Sequence, residues 1–469
     1  MIEQCVVSST GPRSKPALVL AILCGAPFLA GLDLLVVNVA FAEIGAGFPG
    51  HSLADMSWIL NGYAIVYAAL LISFGRYADK VGYKRVFLGG LGVFTAASAA
   101  AALSPTLWAL VGFRVLQAAG AAAVTPTSLG LLLHAVAPDR RAASVRIWAT
   151  SGAVAAALGP LLGGLLVEAS WRWVFLINLP VGVALVALTR RTIPGYHNPG
   201  AAESLDLPGA ALLTLGIGAL ATGLVRGPEW GWAGAGFLVA GGTAVLALAW
   251  FATHNLRRHE PLLAHDLLRV RSLGWSSVAS LLFNATFAAG LLILILFLQE
   301  VWGYSALRTG LAVAPGPLVV PAFALVGQLL ARRVSAGRIA AAGSLLWAAG
   351  TAMIVLSVGP ERAYAAEVLP GWLVAGFGVG LALPTILSSA TAELPPARSA
   401  TGSAIVNMSR QIGIVLGVAA MVAVFGNPAG PNAVLDAFDR AWWAVASVAV
   451  LCAAVATGLS VRVRSAHPA

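Results

Sequence analysis

Two charged side chains lie inside long apolar stretches of the sequence, Asp33 and Arg114. A charge in the middle of a membrane span costs about 2.5–3.5 kcal/mol, so each is a candidate for a function. Asp33 lies about eight residues before the end of its stretch and Arg114 about seven after the start of its own, which at 1.5 Å per residue places both about 10–13 Å deep. At equal depth the two can pair. The carboxylate would then bind and release a proton, and the alternative is a permanent structural ion pair.

Further polar side chains share this apolar setting. Gln117 lies three residues after Arg114 on the same helical face, where it either hydrogen-bonds the pair or only packs. Arg410 either lines a substrate path or extends its guanidinium back to the membrane interface. Glu168 and Glu300 lie at the ends of apolar stretches, where solvation is cheap, and rank second as proton sites. The candidate cavity-lining residues are Asn38, Trp347, Asn407 and Arg410.

The elements that position these residues are membrane-spanning helices. Of the 469 residues, 59% are hydrophobic and 10% charged, whereas a soluble domain carries about 25% charge. With a mean hydropathy of +0.88, the chain is predicted to be an all-α polytopic membrane protein. A span needs about 20 mostly apolar residues. Fourteen windows qualify: 17–41, 54–74, 85–103, 107–133, 143–167, 173–190, 208–225, 233–253, 275–299, 309–331, 339–358, 368–390, 401–425 and 441–461.

The distribution of basic residues supports fourteen spans. With the N-terminus inside, twenty-one of the 28 Lys and Arg residues fall in cytosolic segments. A wrong span count would invert the later loops and mix the two sets. We therefore expect a multi-pass protein of the cell membrane with both termini in the cytoplasm.

Several function classes are excluded by the sequence. The net charge of +10 is explained by cytosolic loops, and no basic run has the aromatic interleaving of a nucleic-acid module. The three cysteines and seven histidines show no metal-site spacing. No lysine follows a glycine, so a Walker A loop is absent and neither ATP nor another cofactor is expected. The hydrolase motifs H-E-x-x-H and G-x-S-x-G are also absent, and the loops contain no cluster of catalytic residues, so we do not expect an enzyme.

The chain contains an internal repeat. Gly120 with Pro126-Thr127 aligns with Gly378 and Pro384-Thr385 at a constant offset of 258. Paired six-helix halves are a recurrent transporter plan, with the substrate path between them. The predicted organisation is a cytosolic tail, a six-helix bundle, linkers with two extra helices (208–225 and 233–253), a second six-helix bundle and a second tail. The boundaries of these five parts are 1–16, 17–190, 191–271, 272–461 and 462–469.

The fifth span presents one face without large side chains. Gly152, Ala156, Gly159 and Gly163 are spaced 4, 3 and 4 residues apart, which permits close backbone packing. Pro160 is expected to bend this helix because its ring removes a hydrogen bond. The pattern fits either ordinary tight packing or a bent helix at the seam between the two halves.

Several motifs together resemble the major facilitator superfamily, and within it the fourteen-helix drug:proton antiporter family. Segment 75–85 is similar to the superfamily's loop between spans two and three, and 114–120 is similar to its span-four motif. The span-five motif of its antiporters matches Gly152 with 159–164. Leu32-Asp33 with 37–40, and the segment 171–182, resemble the drug:proton antiporters. Leu35 departs from the first of these motifs, in which Thr is usual. The antiporter motif residues are thus Gly152, Gly159, Pro160, Gly163 and Gly164.

This resemblance implies proton-driven export of a hydrophobic compound, cationic ones included, from the cytoplasm by alternating access. It assigns proton coupling to Asp33, Arg114 and Gln117. Trp372 matches Arg114 in the second half, so we place the proton site in the first half only. Partners are a small hydrophobic substrate, protons and the bilayer, and we expect a monomer. The alternatives are a specific metabolite exporter or a proton-coupled uptake transporter of the same fold. A membrane-bound enzyme and a receptor that does not transport were also weighed, and both are less favoured.

The loop after the second span is predicted to act as a conformational latch. Asp79 follows the end of a helix whose dipole repels it, so it should meet a neighbouring helix N-terminus or a cation such as Arg140 or Arg141. The alternative is that the basic loop residues serve solubility and topology alone. The latch residues are Gly75, Asp79, Lys80, Gly82, Lys84 and Arg85.

Overall fold

The computed structural model describes residues 16–195, 206–258, 267, 270–394, 399–426, 428 and 430–459, and all regular secondary structure within them is helical. Both predicted tails and most of the two linkers lie outside the described residues. We number the main helices in chain order as α1 Pro16–Val39, α2 Leu53–Val81, α3 Tyr83–Ala102, α4 Leu107–Ala135, α5 Pro138–Ala169, α6 Asn178–Thr192, α7 Leu207–Trp230, α8 Ala235–Arg257, α9 Arg271–Leu296, α10 Pro315–Leu330, α11 Ala336–Ser357, α12 Leu369–Thr391, α13 Ser399–Phe425 and α14 Pro431–Ala456.

Short helical pieces precede or extend several of these helices. Trp173–Leu176 leads into α6, and Ala306–Val313 leads into α10, which starts at a proline. A π-helical turn, Phe297–Val301, prolongs α9. Two further short helices, Phe41–Gly47 and Tyr364–Glu367, lie in loops. The sixth and tenth predicted spans are therefore each built from two consecutive helical segments.

The all-α fold is confirmed, and thirteen helices of the described part are long and apolar enough to cross a membrane. The remaining helix of the fourteen, α5, is helical over 32 residues, and Leu158–Ala169 is the apolar stretch of its fully described part. The fourteen-span count therefore still depends on α5.

Helix starts follow the local sequence. Ser52 caps α2 in a capping box, in which its hydroxyl accepts from the Asp55 backbone and Asp55 accepts from the Ser52 backbone. Thr106 caps α4, and the Asp206 carboxylate caps α7 by accepting from the Gly209 backbone at 3.0 Å. Gly82 joins α2 to α3 with φ of +106°, a conformation that favours glycine.

The predicted repeat corresponds to matching packing in the two halves. A Cβ added at Gly120 of α4 would lie 2.6 Å from the backbone nitrogen of Phe94 in α3. A Cβ added at Gly378 of α12 would lie 2.5 Å from the backbone nitrogen of Trp347 in α11. Both glycines thus let two backbones approach where a side chain would hold them apart. The repeated glycine is explained by this shared helix contact.

The inserted helices α7 and α8 form a pair beside the two bundles. Helix α7 packs on α2 and α13, whereas the contacts of α8 are mainly with α7. Arg226 of α7 pairs with Asp55 at the start of α2 and with Glu229 at 2.7 Å. At the other end Asp206 pairs with Arg258 at 2.6 Å. Charges therefore tie α7 to α2 at one end and to the end of α8 at the other.

Close backbone contacts between the two bundles lie at one end of the molecule. We call this the Gly50 end, after the loop that joins α1 to α2, and the opposite one the Gly82 end. A Cβ added at Gly164 of α5 would lie 2.6 Å from the carbonyl oxygen of Ala306 in the other half. One added at Gly310 would collide with the carbonyl oxygen of Pro160. Pro160 and Gly164 of α5 therefore lie at the seam between the halves.

Candidate proton-binding site

The structure brings Asp33, Arg114 and Gln117 together, as the sequence predicts. Arg114 Nη1 donates to Asp33 Oδ2 at 2.5 Å and to Gln117 Oε1 at 2.7 Å. Gln117 Nε2 donates to Asp33 Oδ1 at 2.7 Å, which closes a three-membered ring of hydrogen bonds between α1 and α4. All three side chains are fully buried. Gln117 therefore bonds both members of the pair, and its role is not packing alone.

Two members of this cluster were missed by sequence reasoning, Asn178 and Ser98. Asn178 Nδ2, in the first turn of α6, donates to Asp33 Oδ1 at 2.8 Å. Ser98 Oγ of α3 accepts from Gln117 Nε2 at 2.7 Å and from Asn178 Nδ2 at 3.3 Å. The available signal was that Asn178 is a lone amide within an apolar segment. Four helices thus contribute to one buried polar cluster.

Aromatic rings cover the guanidinium of Arg114. Its Cζ lies 4.2 Å from the ring centre of Tyr63 and 5.8 Å from that of Phe175. Nε donates to the Ile59 carbonyl at 3.4 Å, while Nη2 is buried without a hydrogen-bond partner. Cation–π contact in a desolvated place is worth about 2 kcal/mol. The pair is therefore held in a dry, low-dielectric pocket in which protonation of Asp33 would change every contact around it.

A polar path leads from this cluster to the other half of the molecule. Tyr63 stacks on Tyr67 with ring centres 6.1 Å apart, and the Tyr67 hydroxyl donates to Thr125 at 3.0 Å. Arg410 of α13 lies within electrostatic range of Tyr67. Since Tyr67 lies near the middle of α2, the guanidinium of Arg410 faces inward instead of extending back to the interface. Arg410 thus approaches the proton site across the seam.

The other candidate cavity-lining residues occupy different settings. Trp347 is fully buried within the second bundle, with its ring centre 6.3 Å from that of Phe283, so its surroundings are those of a core residue. Asn38 is buried and Asn407 half-buried, and each amide donates to the carbonyl four residues earlier on its own helix. Trp372, at the position that matches Arg114, donates its indole N–H to a backbone carbonyl at 2.8 Å.

The small residues of the antiporter motif face two partners. A Cβ at Gly159 would lie 2.6 Å from Leu35 Cβ, and one at Gly163 would lie 3.0 Å from the carbonyl of Val36. These two glycines therefore seat α5 on α1, two to three residues along the helix from Asp33. Gly164 faces the second half instead. The motif thus connects the helix that carries Asp33 to the seam, through Gly152, Gly159, Pro160, Gly163 and Gly164.

The loop between α2 and α3 is held by local contacts. The carboxylate of Asp79 accepts a hydrogen bond from the hydroxyl of Tyr83, the first residue of α3. Arg141 Nε donates to the Val136 carbonyl at 3.3 Å, and the expected contact of Asp79 with Arg140 or Arg141 stays a prediction. Lys84 Nζ donates to the Arg190 carbonyl at 3.1 Å and so links this loop to the end of α6. Of the remaining latch residues, Gly75 packs near α4, Gly82 makes the turn, and Lys80 and Arg85 are exposed.

Outside this region the described residues offer few binding features. A cavity of about 290 Å³ lies at the Gly82 end of α8, lined by Trp250, Thr253, His254, Arg257 and Arg258. No group of three His, Cys, Asp or Glu side chains in the described part is arranged to hold a metal ion. The cluster around Asp33 is therefore the best-defined candidate for chemistry.

The chain belongs to the Major Facilitator Superfamily, whose family model matches residues 23–418. It is 35% identical to a cephamycin export protein of Amycolatopsis lactamdurans over 90% of this chain and 88% of that protein. A methylenomycin A resistance protein of Streptomyces coelicolor is 33% identical over 84% and 83% of the two chains. For a tetracenomycin C resistance and export protein of Streptomyces glaucescens the identity is 32%, over 92% and 79%. These relatives are thus named for the export of antibiotics or for resistance to them.

Solved structures show the same fold. A peptide transporter crystallised with sulfate superposes with a TM-score of 0.69 at 20% identity, covering 95% of each chain. A bacterial homologue of the human lysosomal transporter Spinster, in an inward-facing and unoccupied conformation, gives 0.68 at 18% identity, with 96% of this chain and 98% of that chain covered. The predicted fold, family and transport class are therefore confirmed.

Proposed function

We propose that this protein is a proton-coupled antiporter that exports hydrophobic, antibiotic-like small molecules from the cytoplasm across the cell membrane. The observation that supports this best is the buried carboxylate of Asp33. It accepts hydrogen bonds from Arg114 and Gln117 of α4 and from Asn178 of α6. A buried carboxylate of this kind changes its partners when it is protonated, which is the property that coupling needs. The proton gradient drives the cycle, with no cofactor, no chemical conversion of the substrate and one protein chain as the working unit.

The membrane orientation follows from the basic residues. With both termini in the cytoplasm, the Gly82 end faces the cytosol and the Gly50 end faces outward. Contacts across the seam gather at the Gly50 end, where Gln299 of α9 also donates to the Val39 carbonyl at 3.1 Å. The structure then corresponds to a conformation closed to the outside, in which substrate loads from the cytosol.

Proton binding is coupled to this seam through α1. When a proton from outside reaches Asp33, the carboxylate becomes neutral and its ion pair with Arg114 is lost. Arg114 keeps Gln117 and the Tyr63 ring as partners, while α1 is released from the charge that holds it to α4. Because α5 sits on α1 through Gly159 and also contacts the second half, movement of α1 changes the seam. The proton is then released to the cytosol from the conformation closed to the outside, in which the pair with Arg114 forms again.

Asp33→Asn tests this function. The substitution keeps the shape of the side chain but cannot release a proton, so concentrative efflux driven by a pH gradient should be abolished at normal abundance. Exchange of substrate down its own gradient should persist, because exchange does not require proton release. The assay uses inverted membrane vesicles and a panel of antibiotics, with susceptibility of an expressing host as the cellular readout.

Two outcomes would contradict the proposal. Uphill efflux by Asp33→Asn at the wild-type rate would place the proton site elsewhere, with Glu300 and Glu168 as the next residues to substitute. Substrate movement in the same direction as the proton would instead favour a proton-coupled uptake transporter. Glu229→Gln is a matched control, since it neutralises a half-exposed carboxylate at the end of α7.

A further inference from the structure

The guanidinium of Arg410 lies between the two halves and has no counter-ion among the described residues. The Nε atom of Arg410 is sealed from solvent and has no hydrogen-bond partner. Its side chain as a whole is only half-buried, so the outer edge of the guanidinium reaches accessible space. Within the part of the chain that the structure describes, Arg410 donates no hydrogen bond and forms no ion pair. Its charge interacts with the hydroxyl of Tyr67 on α2.

Arg114 provides the comparison inside the same molecule. Both arginines lie deep in membrane helices, but Arg114 is neutralised by Asp33 at 2.5 Å and is closed to solvent. Charges inside membrane proteins are costly and are almost always paired, or face a path for substrates or ions. An open guanidinium at the seam that has no ion pair among the described residues therefore indicates a path for substrates or ions, in which an anion can reach it.

We propose that Arg410 binds the anionic group of the substrate, and that the transported compounds are amphipathic organic anions with one carboxylate or phenolate on an apolar scaffold. A guanidinium presents a planar fork that matches a carboxylate bidentately. Asn407 lies three residues earlier on the same face of α13, and its amide oxygen accepts no hydrogen bond from the described residues. The inference rests on the proposed function and deepens it.

The same observation argues against cationic substrates. The charge of Asp33 is neutralised by Arg114. The remaining charge at the seam near Tyr67 is therefore the positive charge of Arg410. A permanently cationic drug would meet Arg410 in a low-dielectric place where no described carboxylate pairs with it, and like charges there repel strongly. The cationic part of the expectation drawn from the resemblance is therefore replaced by an anionic substrate class.

Two dyes of one scaffold test this directly. Fluorescein and rhodamine 123 share a xanthene ring system but are anionic and cationic at neutral pH. In inverted vesicles with an imposed pH gradient, wild-type protein should accumulate fluorescein and leave rhodamine 123 outside. Arg410→Gln should lower the initial rate of fluorescein uptake by about tenfold or more, the loss expected for a charge-assisted bond. Arg410→Lys should retain an intermediate rate, and the exposed Arg338→Gln should match wild type.

Three results would overturn the inference while leaving the proposed function in place. The first is uptake of rhodamine 123 without uptake of fluorescein. The second is an equal rate of fluorescein uptake in wild type and Arg410→Gln. The third is that chloride, but neither dye, stabilises wild type against thermal unfolding and does not stabilise Arg410→Gln. The last would identify a structural anion site in place of a substrate site. Failure of the proposed function is recognised separately, as the absence of pH-driven transport for every antibiotic in the panel. Size-exclusion profiles and abundance confirm that Arg410→Gln folds.

Discussion

Gly164 of α5 lies against the backbone of Ala306 so closely that an added Cβ would stand 2.6 Å from the Ala306 carbonyl oxygen. The two residues belong to opposite halves, and their contact closes the molecule at the Gly50 end. A conformation open at that end must separate them. The absence of a side chain at Gly164 therefore stabilises one of the two states of a transport cycle.

Gly164→Ala should shift the equilibrium away from the state seen here. Overpacking costs about 1–3 kcal/mol, which is about a 5–150-fold change in the ratio of the two states. We expect reduced transport at normal abundance and faster labelling of cysteines introduced at the seam. Gly92→Ala is the matched control, because a Cβ there meets nothing within 4 Å. Equal effects of the two substitutions would show that the seam contact has no role in the equilibrium.

Arg114 should be needed for folding as well as for transport. Arg114→Met leaves the Asp33 carboxylate buried without its cation, and breaking a buried pair in this way costs about 3–5 kcal/mol. The double variant Asp33→Asn with Arg114→Met removes both charges and should recover most of the thermal stability in detergent, but no pH-driven transport. A double variant no more stable than Arg114→Met alone would show that the pair contributes little to folding.

Asn178 is predicted to be a positioning residue for the proton site. Its amide donates to the charged form of Asp33, and a hydrogen bond to a charged group is worth about 1.5–3 kcal/mol. Asn178→Leu removes a donor from the carboxylate, so protonation becomes easier and the pH profile of transport should move to higher pH by about one to two units. Ser98→Ala, which loses only a neutral acceptor in the same cluster, should move the profile less. An unchanged profile in Asn178→Leu would assign Asn178 to packing.

Much of this site was within reach of the sequence. The depth of Asp33 and Arg114 in their apolar stretches predicts the pair, and a spacing of three residues predicts that Gln117 joins it. Both predictions need only helix geometry and span boundaries. Asn178 was out of reach, because its contact depends on how α6 packs against α1, 145 residues away in sequence. A single amide carries no periodicity that reveals its partner.

Arg410 shows a second limit of sequence reasoning. Its position in the cytosolic half of the span 401–425 fits both a guanidinium that extends to the interface and one that turns inward, since the long side chain can do either. The inward orientation of the guanidinium is indicated by its interaction with Tyr67, which lies on α2 in the other half. The packing of Trp347 was equally open, and its aromatic neighbours come from α9 and α12. Features that depend on contacts between halves are fixed by tertiary packing alone.

The last prediction concerns Asp79 at the Gly82 end. Its carboxylate accepts from the Tyr83 hydroxyl, and this contact joins the end of α2 to the start of α3. Asp79→Asn keeps the size and the span topology but removes the charge, so a latch predicts impaired transport at wild-type abundance. Tyr83→Phe removes only the hydroxyl and should show a smaller defect of the same kind.

The measurement is uptake into inverted vesicles, with abundance followed by immunoblot. Lys80→Gln is the control, because Lys80 is exposed in the same loop and its substitution also changes one charge. Asp79→Asn with full transport would leave solubility and topology as the role of this loop. Impaired transport in Asp79→Asn but not in Lys80→Gln would show that the carboxylate itself biases the equilibrium between inward-open and outward-open states.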